Sequence, residues 1–298
     1  MSIRIALLIT VGVMSAAFIA LWLRSLVRAR ATGATEHLQP TFIELTIGAI
    51  TNFFDTLGIG SFATTTAAYK TLRLVPDENI PGTLLIGTAL PVAVQAFIFI
   101  AGVNVDPISL LTLIAACVVG GWLGAGVVTK LPRRPIQIGM GTGLLLAATL
   151  MVLTQLGALP GGGVAIGLAG GKLVFAAVMS ALFGALLMIG IGNYAPTLML
   201  LSLLGMDPRA AFPIMMGAGA LVNMVGGLRF ISHARYNPRA AIGLTLGGIP
   251  AVLVAGLVVK SLPLEVLRWV VVVVVAYAAV MMLRSAMAKR ATLQKAQA

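Results

Sequence analysis

Two short glycine motifs interrupt long apolar stretches of this sequence, and the polar residues around them are the ones best suited to chemistry. The first motif reads GIGSF at residues 58–62, and the second reads GIGNY at residues 190–194. Paired glycines lower helix propensity, so each motif predicts a break at which backbone groups lose their helical partners. Such groups are costly in apolar surroundings, so each break should face the protein interior or a water-filled cavity.

Hydroxyl and amide side chains follow each break, where we expect a helix to resume. The free NH groups and the positive dipole end of a helix start favour an anion. The alternative is a glycine kink that allows close helix packing, which is common among membrane helices. If the breaks form a site, the predicted substrate-binding residues are Asn52, Asp55, Gly58, Gly60, Ser61, Thr64, Thr65, Gly190, Gly192, Asn193, Tyr194 and Thr197.

Asp55 lies three residues before the first motif and well inside an apolar stretch. A carboxylate at membrane depth is expensive, so it should be paired, protonated or functional. One hypothesis is proton coupling, in which Asp55 takes up and releases a proton. The other is a structural role, in which Asp55 accepts hydrogen bonds from Asn52, Thr56 or the NH groups of the break.

Other polar residues within or beside the apolar stretches have simpler interpretations. Gln95 and Asn223 are secondary candidates, which either bond across helices or line a cavity. Glu44 is expected near a membrane edge in contact with water, and Arg229 is expected to serve orientation alone. Cys117 is expected to be a small core residue.

The elements that carry these residues are predicted to be membrane helices. Of the 298 residues, 59% are hydrophobic and 9% are charged, and an apolar stretch of about 20 residues crosses a bilayer. Seven ordinary spans are predicted near 3–23, 82–101, 108–128, 137–155, 210–228, 240–259 and 267–283. The net charge of +12 comes from Lys and Arg in short gaps and at the C-terminus, so it indicates topology rather than nucleic acid binding.

Two further stretches, 42–74 and 173–205, are each too long for one span and short for two. The glycine motifs near their middles lie 132 residues apart, and the same offset carries Pro81 to Pro213. This offset predicts an internal duplication. The predicted regions are an N-terminal transmembrane helix and basic linker at 1–41, repeat 1 at 42–155, a Gly-rich connecting loop at 156–171, repeat 2 at 172–283 and a basic cytoplasmic tail at 284–298.

Positive charge predicts how the repeats are inserted, because cytoplasmic loops collect Lys and Arg. If each long stretch enters and leaves on one side, 15 of the 20 Lys and Arg are cytoplasmic; if each crosses once, 11 are. The first arrangement inverts the two repeats, as in many secondary transporters. It puts the N-terminus outside and the C-terminus in the cytoplasm, and it leaves open whether each stretch is a re-entrant hairpin or two short full spans.

Enzyme signatures are missing from the sequence. It contains no H-E-x-x-H, no G-x-S-x-G and no phosphate-binding P-loop, and its two histidines, His37 and His233, fall in predicted loops. We therefore predict a protein that is not an enzyme and that uses no cofactor, no metal and no ATP.

The sequence resembles the sulfite exporter TauE/SafE family, also called the TSUP permeases, over about 42–283. The resemblance is carried by NFFDTLGIGSFATTTA at 52–67, GIGNYAPTLMLLSLLGMDPRAAFP at 190–213 and the LP turns at 131–132 and 262–263. Family members usually have a GIGGG stretch followed by a proline, whereas this chain has GIGS and GIGN, and only the second keeps a nearby proline. The resemblance implies export or uptake of small anions, typically sulfite, sulfonates or related organosulfur acids, driven by an ion gradient.

The sequence therefore predicts a secondary transporter for a small anion that works by alternating access of inverted repeats in the bacterial inner (cytoplasmic) membrane. Its partners are the anionic substrate, the lipid bilayer and, through Asp55, a proton as coupling ion. Two alternatives remain at this point. One is an anion channel without a coupled ion, in which Asp55 is purely structural, and the other is a non-transporting membrane assembly or sensor subunit.

Overall fold

The computed structural model of the chain is all-α. It describes residues 3–31, 38–58, 60–127, 163–188 and 190–261, with separate positions between 138 and 156 and between 263 and 287. No strand occurs in these residues apart from an isolated bridge between Ala165 and Met206. The linker at 32–37, part of the predicted spans at 137–155 and 267–283, residues 157–162 of the connecting loop and most of the C-terminal tail lie outside the described residues.

Helices account for nearly all of the predicted apolar stretches that the structure describes. They are α1 (Ile3–Ala31), α2 (Phe42–Thr56), α3 (Ser61–Thr71), α4 (Ile80–Gly102), α5 (Pro107–Val127), α6 (Gly170–Leu187), α7 (Tyr194–Leu203), α8 (Pro208–Ser232) and α9 (Pro238–Ser261). Each of the two 33-residue stretches is a pair of shorter helices, α2 with α3 and α6 with α7. The first helix, α1, continues eight residues beyond its predicted end.

Five of these helices are long enough and apolar enough to cross a membrane, namely α1, α4, α6, α8 and residues Pro238–Val258 of α9. Within the described residues, this makes the chain an all-α protein of the membrane type. The helices differ in burial. In the most apolar 18-residue segment of each helix, 83% of the residues of α8 and 72% of those of α4 are buried, compared with 22% of those of α1. Helices α4 and α8 therefore form the centre, and α1 presents apolar side chains to lipid.

The packing around the central pair has a regular pattern. Helix α2 packs against α9 and α6 packs against α5, while α4 contacts both α8 and α9 and α8 contacts both α4 and α5. The flanking pairs come very close: a Cβ on Gly247 of α9 would collide with the carbonyl oxygen of Leu45, and a Cβ on Gly184 of α6 would collide with that of Cys117. Small residues at such contacts let membrane helices approach closely.

The two ends of each broken pair lie on the same side of the molecule. At the ends of the first pair, the Arg239 guanidinium donates to Glu44 at 2.9 Å and the Tyr69 hydroxyl donates to the carbonyl of Ala240, so both ends lie beside the start of α9. At the ends of the second pair, Lys172 Nζ donates to the carbonyl of Leu204 at 2.9 Å. Each pair therefore folds back on itself rather than running straight through the helix layer.

The expectation that Glu44 meets water is wrong, because its side chain is completely buried. One carboxylate oxygen pairs with Arg239 and the other accepts from the backbone NH and the hydroxyl of Thr41, which completes a capping box at the start of α2. The capping sequence T-x-x-E could have been recognised, but the partner from α9 could not. Cys117 is buried, as expected.

Candidate functional site

The first break lies between α2 and α3 and is built by glycine conformation. The NH of Gly58 donates to the carbonyl of Asp55 at 2.9 Å, which ends α2 in a turn. Gly58 and Gly60 have φ values of 93° and 82°, a region in which side chains with a Cβ are strained. Helix α3 then begins at Ser61, as the sequence predicts.

The second break repeats this geometry between α6 and α7. The NH of Gly190 donates to the carbonyl of Leu187 at 2.9 Å, and Gly190 has a φ of 80°. Helix α7 begins at Tyr194, with Asn193 at its N-cap position. The offset of 132 residues relates Leu187 to Asp55 and Asn193 to Ser61, so the breaks match in backbone at their first glycines, Gly58 and Gly190, and differ in side chains.

The Asp55 carboxylate closes the first break from within. It is 3% exposed, and its Oδ1 accepts a hydrogen bond from the backbone NH of Ser61, the first residue of α3. Its Oδ2 accepts from Gln95 Nε2 of α4 at 2.9 Å. The anion at the start of α3 is therefore the protein's own carboxylate.

Gln95 connects the carboxylate to the second break. Its Nε2 also donates to Thr56 Oγ1 at 3.1 Å. Thr56 can only accept here, because its hydroxyl proton is donated to the carbonyl of Asn52. The amide orientation of Gln95 follows, since Nε2 must face Asp55 and Thr56. Its Oε1 is left to accept from the hydroxyl of Tyr194 at 3.0 Å.

A small cavity lined mainly by buried residues lies between the two breaks. Its volume, as the space open to the centre of a water-sized sphere, is about 10 Å³, enough for about one water molecule. Residues of both breaks and of the central helices line it, namely Asp55, Gly60, Ser61, Phe62, Val92, Leu187, Gly192, Asn193, Tyr194, Gly219 and Asn223. The described residues of this wall include no Lys, Arg or His.

Several polar atoms of the wall are buried without a hydrogen-bond partner. They are Ser61 Oγ, Asn193 Oδ1 and Asn223 Oδ1. The orientation of Asn223 is determined, because its Nδ2 donates at 3.1 Å to Thr88 Oγ1, whose own proton goes to the carbonyl of Leu84. Buried polar groups are nearly always satisfied, so unpaired ones in one cavity point to a missing ligand.

The structure brings only part of the predicted site together. Asp55, Gly60, Ser61, Gly192, Asn193 and Tyr194 line the cavity with the secondary candidate Asn223, and Gln95 lies behind the wall. Asn52, Gly58, Thr64, Thr65, Gly190 and Thr197 do not line it. Thr64 donates its hydroxyl to the carbonyl of Ser61, and Asn52 donates Nδ2 to the carbonyl of Gly48. Thr65 and Thr197 are buried within their helices.

Sequence reasoning missed residues that contact the site through packing. The cavity is also lined by Val92, Leu187 and Gly219, whose side chains are not polar and so did not suggest a site. The only signals in the sequence were the 132-residue offset between the repeats and the helix on which each residue lies. Cys117, which the sequence indicated as a core residue, also contacts the site: its Sγ lies 3.9 Å from Asn193 Nδ2.

A second pocket is much larger and is open to the surface. It has a volume of about 490 Å³ by the same measure, and its lining is Gly121, Trp122, Leu123, Met188, Val225, Gly226 and Arg229. Met188 and Leu187 are consecutive residues that line different cavities. The side chain of Arg229, expected to serve orientation alone, lines this larger cavity.

Compared with family models, with curated proteins and with solved structures, the chain has no match, so its function must be argued from its own residues.

Proposed function

We propose that this chain is a secondary transporter that moves a small anion across a membrane. The observation that carries the proposal is the buried cavity between the two helix breaks, whose wall contains the offset-related residues Ser61 and Asn193. Broken helices that meet at a central site are typical of secondary transporters. The resemblance to the TauE/SafE family favours sulfite, a sulfonate or a related organosulfur acid as the substrate.

The packing pattern supports an inverted repeat of residues 42–155 and 172–283. Helix α2 opens the first repeat and packs against α9 of the second, while α6 opens the second repeat and packs against α5 of the first. The central helices follow the same pattern, because α4 of the first repeat packs against α9 of the second, and α8 of the second packs against α5 of the first. The ends of the first broken pair lie beside the start of α9, and those of the second lie near the start of α8, so the two pairs act as hairpins that enter from opposite sides.

The start of α7 is the better anion site of the two breaks. The first NH groups of a helix have no partner inside the helix, and they carry its positive dipole end. At α3 the Asp55 carboxylate already accepts from the NH of Ser61. At the start of α7, the cavity is lined by Gly192, Asn193 and Tyr194. None of the hydrogen bonds described there joins the NH groups of this helix start to a protein carboxylate. The anion-binding amides are therefore those of the second break.

Alternating access follows from the sizes of the two cavities. A cavity that holds about one water molecule is closed to sulfite or a sulfonate, so the hairpins must separate before substrate binds. The larger pocket includes Met188, one residue from the central wall, and in this proposal the path to the site opens from the side of Arg229. By the charge count this side is the cytoplasm, with the N-terminus outside, in the bacterial inner membrane.

The test is uptake of radiolabelled sulfite and small sulfonates by proteoliposomes that contain the purified chain alone. Wild-type protein should show saturable flux and counterflow exchange, and Ser61→Ala, Asn193→Ala and Asp55→Asn should each reduce it. Thr64→Ala is the matched control, because Thr64 lies on the same helix as Ser61 but its hydroxyl is spent within the helix.

Each other outcome has a definite meaning. Unchanged flux in all three site variants would refute the site. Flux without saturation or counterflow would identify a channel, and the absence of flux for every anion would favour an assembly or sensor subunit. Flux that responds to an imposed pH gradient would support the predicted proton role of Asp55.

A further inference from the structure

Among the described residues that line the central cavity, none carries a positive charge to balance Asp55. Its hydrogen-bond donors are all neutral: the NH of Ser61, the amide of Gln95 and the neighbouring Ser61 hydroxyl. No Lys, Arg or His occurs among the described residues that line the cavity. An ionised carboxylate with 3% exposure needs a positive partner, because desolvation of an unpaired charge is expensive.

The unpaired atoms of the same cavity are oxygens. Asn223 presents Oδ1, since its Nδ2 is held by Thr88, and Asn193 Oδ1 and Ser61 Oγ are also without partners. The exposed fractions of these three side chains are 1%, 2% and 1% for Asn223, Asn193 and Ser61. The two amide oxygens only accept, and the Ser61 hydroxyl can donate to Asp55 while its lone pairs accept, so these atoms around a carboxylate call for a donor or a cation.

Size and ligand type narrow the choice of cation. A space of about 10 Å³ is at the lower limit for a water molecule, and a sodium ion is smaller than water whereas potassium is about as large. Among the described residues there is no cluster of three or more His, Cys, Asp or Glu side chains. One carboxylate with neutral oxygens is therefore poorly matched to calcium or to transition metals, which use more carboxylates or nitrogen and sulfur ligands.

We infer that the cavity is a sodium site, formed by the Asp55 carboxylate, the side-chain oxygens of Ser61, Asn193 and Asn223, and the backbone of the two breaks. The sodium ion neutralises Asp55 beside the amides of α7 that receive the anion, so that anion and cation bind together. Its role as coupling ion rests on the proposed transport function, but its binding does not.

Binding of radioactive sodium to the purified, detergent-solubilised chain tests the site without any transported anion. Wild-type protein should bind sodium saturably, with one ion per chain, in competition with unlabelled sodium and not with potassium or choline. Asp55→Asn should weaken binding at least about tenfold, because it removes the only charge among the described residues of the site. Asp207→Asn is the control, because Asp207 caps α8 outside the cavity and asparagine preserves the cap.

A binding measurement on the wild type remains decisive even if a variant does not fold. Thermal unfolding at constant ionic strength should occur at a higher temperature in sodium chloride than in choline chloride. Absence of saturable sodium binding, equal binding of potassium, or stabilisation by acid alone would overturn the sodium site, and the last result would identify a proton or a water in its place. Anion flux that is independent of sodium would overturn the coupling role of sodium and leave the transport function intact. Sodium binding without any anion flux would overturn the transport function and leave the sodium site intact.

Discussion

The hydroxyl of Tyr194, at the start of α7, donates to Oε1 of Gln95 on α4 at 3.0 Å. Gln95 in turn donates to Asp55 at the end of α2. The two helix breaks are thus joined through one side chain of a central helix. Any movement that separates the breaks to admit a substrate must break or rearrange this connection.

Tyr194→Phe should weaken both stability and transport. The substitution keeps the ring but leaves Gln95 Oε1 buried without a donor, at a cost of about 1–3 kcal/mol. We expect lower thermal stability and several-fold slower anion flux. Tyr236→Phe is the matched control, because it removes a hydroxyl that pairs with Ser25 of α1, away from the breaks. Equal flux in both variants would show that the connection has no part in transport.

Asn223→Ala should reduce sodium affinity at least about tenfold, because one of the few oxygens of the site is lost. Thr245→Ala removes a hydrogen bond of similar type, from the Thr245 hydroxyl to the carbonyl of Gly87, outside the cavity. Its sodium affinity should equal that of the wild type, while its stability falls by about 1 kcal/mol. Radioactive sodium binding and thermal unfolding measure the two effects, and equal loss of affinity in both variants would contradict the assignment.

Cysteine labelling should separate the two cavities. Val225→Cys introduces a thiol in the large cavity, and Leu187→Cys introduces one in the closed central cavity. A membrane-impermeant thiol reagent should modify Val225→Cys in the resting protein and leave Leu187→Cys unmodified. The native Cys117 is 2% exposed and should contribute no background. Rapid modification of both variants would show that the central cavity is open rather than closed.

Glu44→Gln should affect stability without affecting transport per folded molecule. The buried Glu44 carboxylate joins α2 to α9 through Arg239, whose side chain is 35% exposed. Loss of the charge leaves Arg239 without its partner, and we expect a loss of about 2 kcal/mol, less than for a fully buried pair. Thr46→Ala, at a partly exposed position on α2, should change the free energy of unfolding by less than about 0.5 kcal/mol. Flux normalised to folded protein should stay constant in both, and a large change in Glu44→Gln would place the pair in the transport path.

Local signals in the sequence were sufficient for the breaks themselves. Gly58, Gly60 and Gly190 adopt positive φ values that only glycine takes easily, so glycine pairs in apolar stretches mark the positions at which helices end. The helix starts at Ser61 and Tyr194 follow from the same pattern. By contrast, the burial of Glu44 depends on Arg239 from a distant helix, and its sequence neighbours could not predict it.

Within the candidate site, the sequence identified polar residues but not their grouping. Thr64 and Ser61 have similar side chains and lie on one face of α3, yet only Ser61 lines the cavity, because it begins the helix beside the break whereas Thr64 lies about one turn further along. Gln95 and Asn223 come from different helices, and their places relative to Asp55 depend on how α4 packs against α8.

The amino-acid sequence by itself determined that the chain is helical and apolar, where its helices break, and that a carboxylate lies beside one break. These properties depend on local propensity and on transfer of side chains to lipid, which each residue carries with it. Only the tertiary structure decided that the breaks meet, that Gln95 joins Asp55 to Tyr194, and that the cavity between them is small and lined by unpaired oxygens. Those facts arise from contacts between residues far apart in the chain, and such contacts exist only once the helices have packed.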